Sequence, residues 1–330
     1  MKMRNLGPSG PTVSALGLGA MGMSDFYGPA DEAESRATLD AALNAGVTLI
    51  DTADFYGSGH NEMLIAEAIA GRRDKAFIQV KFGVMRDPGG GFIGGDYRPV
   101  AIKNALAQSL RRLKTDHVDL YQPARVPADI PIEEVVGAVA DLQTQGYVRH
   151  IGLSEAGPET IRRAHRAAPI TALQIEYSLI SRTLEGAILR TCRELGLGVT
   201  AYGVLSRGLL SGRIARDAYA GKRDFRAMAP RFQGDNMSQN LALVETLRDF
   251  ASQKSVTPGQ LAIAWALHKG DDICPMIGAR RRDQLTEALG ALEITLSQAE
   301  IAALETAMPA SAVAGDRYDA HGMAMLDSEK

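Results

Sequence analysis

The chain has 330 residues, 45% hydrophobic and 23% charged, the balance of a folded globular protein and not of a disordered one. Its 36 Lys and Arg against 39 Asp and Glu leave a net charge of −3, which argues against a phosphate-neutralising, nucleic-acid-binding surface. No apolar run approaches the roughly 20 residues that span a bilayer. The segment MKMRNLGPSG lacks a signal-peptide apolar core, and Cys192 and Cys274 allow one bridge at most, so a cytosolic, reduced protein is the expectation.

Eight short apolar runs recur in order: 15–20, 47–51, 76–81, 117–122, 150–155, 172–177, 198–203 and 273–278. Most are continuous and not alternating, as in strands covered on both faces. Helix-length stretches separate them. Residues 31–45 open on acids, which suit the positive end of a helix dipole, and close at Gly46, which suits a left-handed cap. Similar stretches cover 60–70, 99–113, 131–145, 158–167 and 183–195, with Pro at two starts and Gly at several ends. Alternating strands and helices imply right-handed crossovers and a parallel sheet. Eight such units predict a (β/α)8 TIM barrel forming one domain over 1–330, with 309–330 a tail that lacks helix periodicity. A doubly wound open sheet is the competing arrangement.

The gap between 203 and 273 breaks the rhythm. It predicts a long loop over 204–237 and helices near 238–253 and 258–269. A loop of that length is usually functional, and in a barrel it belongs to the C-terminal face. The glycine-rich stretch 87–96 reads as a flexible loop over the mouth, either a lid or a disordered bulge. Trp265, inside the apolar run LAIAWALH, reads as core.

No HExxH, CxxC, G-x-S-x-G or GxxxxGK[ST] pattern is present, and no two histidines stand four apart. Gly17, Gly19 and Gly22 spell G-x-G-x-x-G, but a loop follows where a dinucleotide fold needs a helix. The informative residues are Asp51 and Lys81, each ending an apolar run, and Tyr56 just after the first. In a parallel barrel such ends converge on one mouth. An ammonium beside a phenol lowers its pKa from about 10, and a carboxylate keeps the ammonium charged, so the phenol can act as a general acid. A structural ion pair under a turn is the plainer alternative.

The stretch from Gly46 to Glu62, GVTLIDTADFYGSGHNE, together with VKFG at Lys81, resembles the aldo-keto reductases. So do GLGAMGMS (17–24), VDLYQPARV (118–126), VRHIGLSE (148–155), QIEYSLISR (174–182), AYGVLSRGLLSG (201–212) and MIGARRRDQL (276–285), in that family's order. The resemblance implies a (β/α)8 barrel that binds NADPH in extended form, passes hydride to a small-molecule carbonyl carbon, and protonates the oxygen from a tyrosine. Asp51, Tyr56 and Lys81 match three members of the family's catalytic tetrad. The fourth, a histidine, falls at Ala124 here, in YQPAR. Three explanations remain open. Another donor (His60 or Arg125) or a water substitutes; a bulky substrate uses the vacated volume; or the protein is an NADPH-binding regulatory or scaffold subunit with little turnover.

On the cofactor side the resemblance implies Ser154 and Gln174 for the nicotinamide carboxamide, with Glu155 where many relatives carry Asn. Tyr202 stacks on the nicotinamide ring. Gly203, Leu205, Arg207, Gly208 and Leu210 match the pyrophosphate loop, while Gly19, Ala20 and Met21 approach the cofactor from the first strand. Gly278 precedes the run in which Arg280 takes the 2′-phosphate and Gln284 and Glu287 contact adenine; a solvated basic helix end is the alternative for that run. Phe26, Tyr27, Tyr56, Ala124 and Arg125 would line the substrate pocket, and no metal is implied.

Overall fold

The computed structural model describes residues 1–216, 218, 219 and 224–330, so five positions of the expected 204–237 loop lie outside the described residues. Eight parallel strands close into a barrel. They are β1 (Gly17–Gly19), β2 (Leu49–Ala53), β3 (Phe77–Phe82), β4 (Val118–Pro123), β5 (Val148–Ser154), β6 (Ile170–Glu176), β7 (Gly198–Tyr202) and β8 (Ile273–Gly278). Neighbours pair in sequence order, and β8 closes on β1 through Gly278↔Gly19. Every residue of β2 and β4 is buried, which explains their continuous apolar character.

Helices α1 (Glu32–Asn44), α2 (His60–Ala68), α3 (Pro99–Leu113), α4 (Ile132–Thr144), α5 (Pro158–Ala167) and α6 (Ala187–Leu195) alternate with the strands. Asp31 caps α1 by accepting from the Glu34 N–H, with Glu32 and Glu34 in the first turn. Then α7 (Gly234–Gln253) and α8 (Pro258–Leu267) precede β8, and α9 (Arg282–Gly290) and α10 (Gln298–Ala307) follow it. Trp265 on α8 is fully buried and donates from Nε1 to Glu305 at 2.8 Å.

The end of the barrel away from the βα loops is plugged. A hairpin of Met3–Asn5 and Thr12–Ser14 brings Leu6 and Val13 against Leu49, Leu120, Ala172, Cys274 and Met276. Gly17 leaves room there for the end of the Met276 side chain, whose sulfur would stand 2.3 Å from a Cβ at 17. The functional face is therefore the other end.

Three expectations are corrected. Residues 87–96 do not form a structureless loop; Val84–Arg86 pairs with Phe92–Gly95 as an antiparallel hairpin. Arg86 stacks on Phe26 and Phe92 and pairs with Asp25, which fixes the hairpin to the rim. The α7 helix starts at Gly234, before the expected 238. The tail does contain a short helix, α11 (Ala320–Ala324), and just before it Arg317 and Tyr318 return to the mouth, bonded to Glu155 and Tyr202. Among the described residues, no helix is long and apolar enough to cross a membrane.

Candidate functional site

Asp51 lies at the centre of β2, not at its end, and Lys81 is the last residue but one of β3. Asp51↔Gln79 and Ala53↔Lys81 are register partners, so Lys81 stands two residues beyond Asp51's own partner and its long side chain reaches back to the carboxylate. The Lys81 ammonium donates to Asp51 Oδ1 at 2.6 Å and to the Thr52 carbonyl at 3.0 Å. Asp51 Oδ1 also accepts from Gln79 at 3.0 Å and Gln174 at 2.9 Å, and Gln122 donates to Gln174 at 2.8 Å. A connected polar layer thus floors the mouth. Tyr56 lies above it, 6% exposed, with Lys81 Nζ 5.0 Å from its ring centroid. Phe26 meets the Tyr56 ring edge-on at 5.7 Å. The three predicted residues converge as expected.

The electrostatics differ from expectation. Burial raises the Tyr56 phenol well above its ordinary 10, Asp51 adds to the rise, and Arg125 opposes it. Burial also pulls Lys81 below its ordinary value, against the attraction of Asp51. A phenolate here would lose its hydration, and Asp51 already answers the ammonium charge. The resting phenol is therefore firmly protonated.

Ala124 follows β4, is 1% exposed, and donates its N–H to the Phe82 carbonyl at 2.9 Å. Of the two side chains that could replace a missing donor, His60 is engaged elsewhere. Its Nδ1 meets Ser24 Oγ at 2.9 Å and its Nε2 lies 3.6 Å from Glu32. Arg125 stays at the mouth, with Tyr318 5.7 Å from its guanidinium.

The β5–β7 side is dominated by a second charged network. Ser154↔Gln174 and Glu176↔Tyr202 are register partners. Glu155, fully buried, accepts from Arg317 at 2.6 and 2.9 Å, from Ser328 at 2.5 Å and from the Tyr202 hydroxyl at 2.7 Å. Burial works against its ionisation, but Arg317 outweighs it and brings the carboxyl to about 2. Arg207 lies 3.5 Å from Glu176 and 4.5 Å from the Tyr318 ring centroid. Gly203 at φ 70° and Gly208 at φ 95° make the turn that carries it, and a Cβ at 203 would sit 2.9 Å from the Glu176 side chain. Leu205 and Leu210 support that turn. Leu210 is fully buried and its N–H is bonded to the Leu205 carbonyl at 3.1 Å, so neither its side chain nor its N–H is free to meet a ligand.

The β8–β1 side is more open. Gly278 has nothing within 4 Å of a would-be Cβ, and Gly19, Ala20 and Met21 lie beside it across the closure. Arg281 pairs with Asp283 and Arg282 with Glu34. Arg280 differs: among the described residues its Nη1 donates to the Tyr27 and Pro29 carbonyls, at 3.0 and 3.2 Å, and to no carboxylate. Gln284 holds the Arg280 N–H at 3.1 Å. Glu287 is paired with Arg213 at 2.7 Å. Tyr27 lines the same wall under Arg226, its phenol pushed up to about 12 by burial.

Residues 15–308 match the family model described as the aldo/keto reductase family. The chain belongs to that family. Among solved structures, the glycerol dehydrogenase AKR11B4 from Gluconobacter oxydans is 28% identical with a TM-score of 0.84, covering 93% of this chain and 96% of that one. A thermostable aldo-keto reductase, Tm1743, solved with the inhibitor epalrestat, is 30% identical with a TM-score of 0.74, covering 93% of this chain and 100% of that one.

In this aldo/keto reductase, sequence reasoning missed Gln79, Gln122, Glu176, Arg317 and Tyr318. Gln79 stands two residues before Lys81, so strand alternation puts it on the same inward face, and that signal was readable. Arg317 gave none. Its role depends on a partner 162 positions away.

Proposed function

We propose that this aldo/keto reductase uses NADPH to reduce an aldehyde or ketone to an alcohol, with Tyr56 as the general acid. The whole chain acts as one barrel, and the 309–330 tail forms part of the site wall. The carrying observation is the Lys81–Asp51 pair, 2.6 Å apart in a buried layer, beneath the Tyr56 ring. The likeness to a glycerol dehydrogenase supports chemistry between an alcohol and its carbonyl.

The residues present fit the cofactor. Arg280 makes no carboxylate pair among the described residues, and the open backbone at Gly278 lies beside it. A guanidinium fork so placed suits the 2′-phosphate that distinguishes NADPH from NADH. Arg207 and the 203–208 turn suit the pyrophosphate, Ser154 and Gln174 the carboxamide, and Tyr202 the nicotinamide face. When bound, the reduced nicotinamide supplies the hydride. Tyr56, kept protonated by its burial, donates to the carbonyl oxygen. Lys81 stabilises the phenolate that results, and Asp51 with its two glutamine partners fixes the ammonium.

Ala124 favours one other reading, a cofactor-binding regulatory subunit. The discriminating experiment follows NADPH consumption with aromatic aldehydes, diketones and sugar-derived ketones. Oxidation with any of them supports the reductase. Tight NADPH binding with no oxidation across the panel supports the regulatory subunit.

A further inference from the structure

Most cations around the mouth are answered by carboxylates; among the described residues Arg280, assigned above to the cofactor's phosphate, and Arg125 are not. Lys81 is answered by Asp51, Arg317 by Glu155, and Arg207 and Arg231 by Glu176. Arg125 pairs with no carboxylate among the described residues; the hydrogen bond it makes runs from Nη1 to the carbonyl of Ala124 at 2.7 Å. Its Nε is buried and without a partner. A guanidinium with donors to spare can grip a carboxylate through two parallel N–H···O bonds.

Position narrows the occupant. Arg125 follows β4, beside the β3 strand that carries Lys81, and Arg125 acts on both Tyr56 and Lys81 as a nearby positive charge. The groups suited to the cofactor's phosphates, Arg207 and Arg280, belong to the β7 and β8 loops instead. A half-buried cation without a counter-ion is costly unless a ligand brings one.

We propose that Arg125 anchors a carboxylate on the substrate, so that the preferred carbonyl compound is a short aldehyde or keto acid. This deepens the reductase reading and rests on it for turnover. It differs from a role for Arg125 as the donor to the carbonyl oxygen, because an anchor acts on a group the reaction does not change.

The test compares succinic semialdehyde with butanal, which has the same chain length and no carboxylate, in the wild type, R125Q and R125K. The expected result for R125Q is a fall of about 10-fold or more in the ratio of kcat/KM for the acid over the neutral aldehyde, carried by KM. R125K, which keeps the charge and controls for folding, recovers part of it. An unchanged ratio, or equal losses in kcat for both aldehydes, overturns the anchor. A second readout needs no turnover: calorimetric titration with butyrate. Binding to the wild type that is lost in R125Q supports the site, even if neither aldehyde is reduced and the reductase reading itself fails. Absence of butyrate binding to the wild type overturns the site, even if both aldehydes are reduced.

Discussion

Two ion-pair clusters stand at the barrel mouth and are built in opposite ways. Lys81 and Asp51 come from adjacent strands, and the Asp51 oxygen collects neutral amide donors around the ammonium. Glu155 is held by Arg317 and Ser328, both from the tail, and by Tyr202 from β7. The first cluster leaves its cation beside a phenol. The second consumes its charges internally. On the proposed reading, the first acts on a ligand and the second holds a wall in place.

The largest expected effect breaks the first cluster. Lys81→Met should lower kcat/KM by about 100- to 10,000-fold, the range for a group serving acid–base catalysis, with the fold intact by circular dichroism. Breaking the second should act on stability instead. Arg317→Met strands a buried carboxylate and should cost about 3–5 kcal/mol in denaturant unfolding. The pH dependence sharpens this. The Glu155 carboxyl falls from its ordinary 4.5 to about 2 in the folded protein. Its stabilising contribution is therefore complete above the unfolded value and is lost as pH falls through the folded one. Melting curves across that acid range should show the loss in the wild type and little of it in Arg317→Met.

This contrast also marks what the sequence could reveal. The barrel was legible because eight buried strands read as continuous apolar runs, with glycine or proline at the helix ends. Asp51, Tyr56 and Lys81 were legible because each interrupts or follows such a run. Strand limits moved by at most two residues, since hydrogen-bond register sets them: β2 runs on to Ala53, past Asp51. The 87–96 hairpin was hidden, because its glycines read as a loop and its order comes from Arg86 stacking on Phe26 and Phe92. The tail network was invisible for a related reason: Glu155 and Arg317 meet only after the chain has closed the barrel. The phenol's rise was missed because it depends on the depth of burial, which no local pattern carries.

A smaller effect concerns the cofactor. Arg280→Met should raise the NADPH dissociation constant by about 10-fold or more, and that of NADH much less. Equal affinities for the two cofactors in the unmodified protein would refute the assignment. The smallest concerns Ala124. Ala124→His should shift turnover or substrate range severalfold; no change in either would show that position 124 does not border the reacting carbonyl.

The central claim is that Tyr56 delivers the proton. It is tested most directly by single-turnover NADPH oxidation in Tyr56→Phe, with NADPH binding measured by fluorescence on the same sample. The account predicts that NADPH still binds while the oxidation rate falls by about 100-fold or more. Oxidation at the wild-type rate in that variant would contradict it.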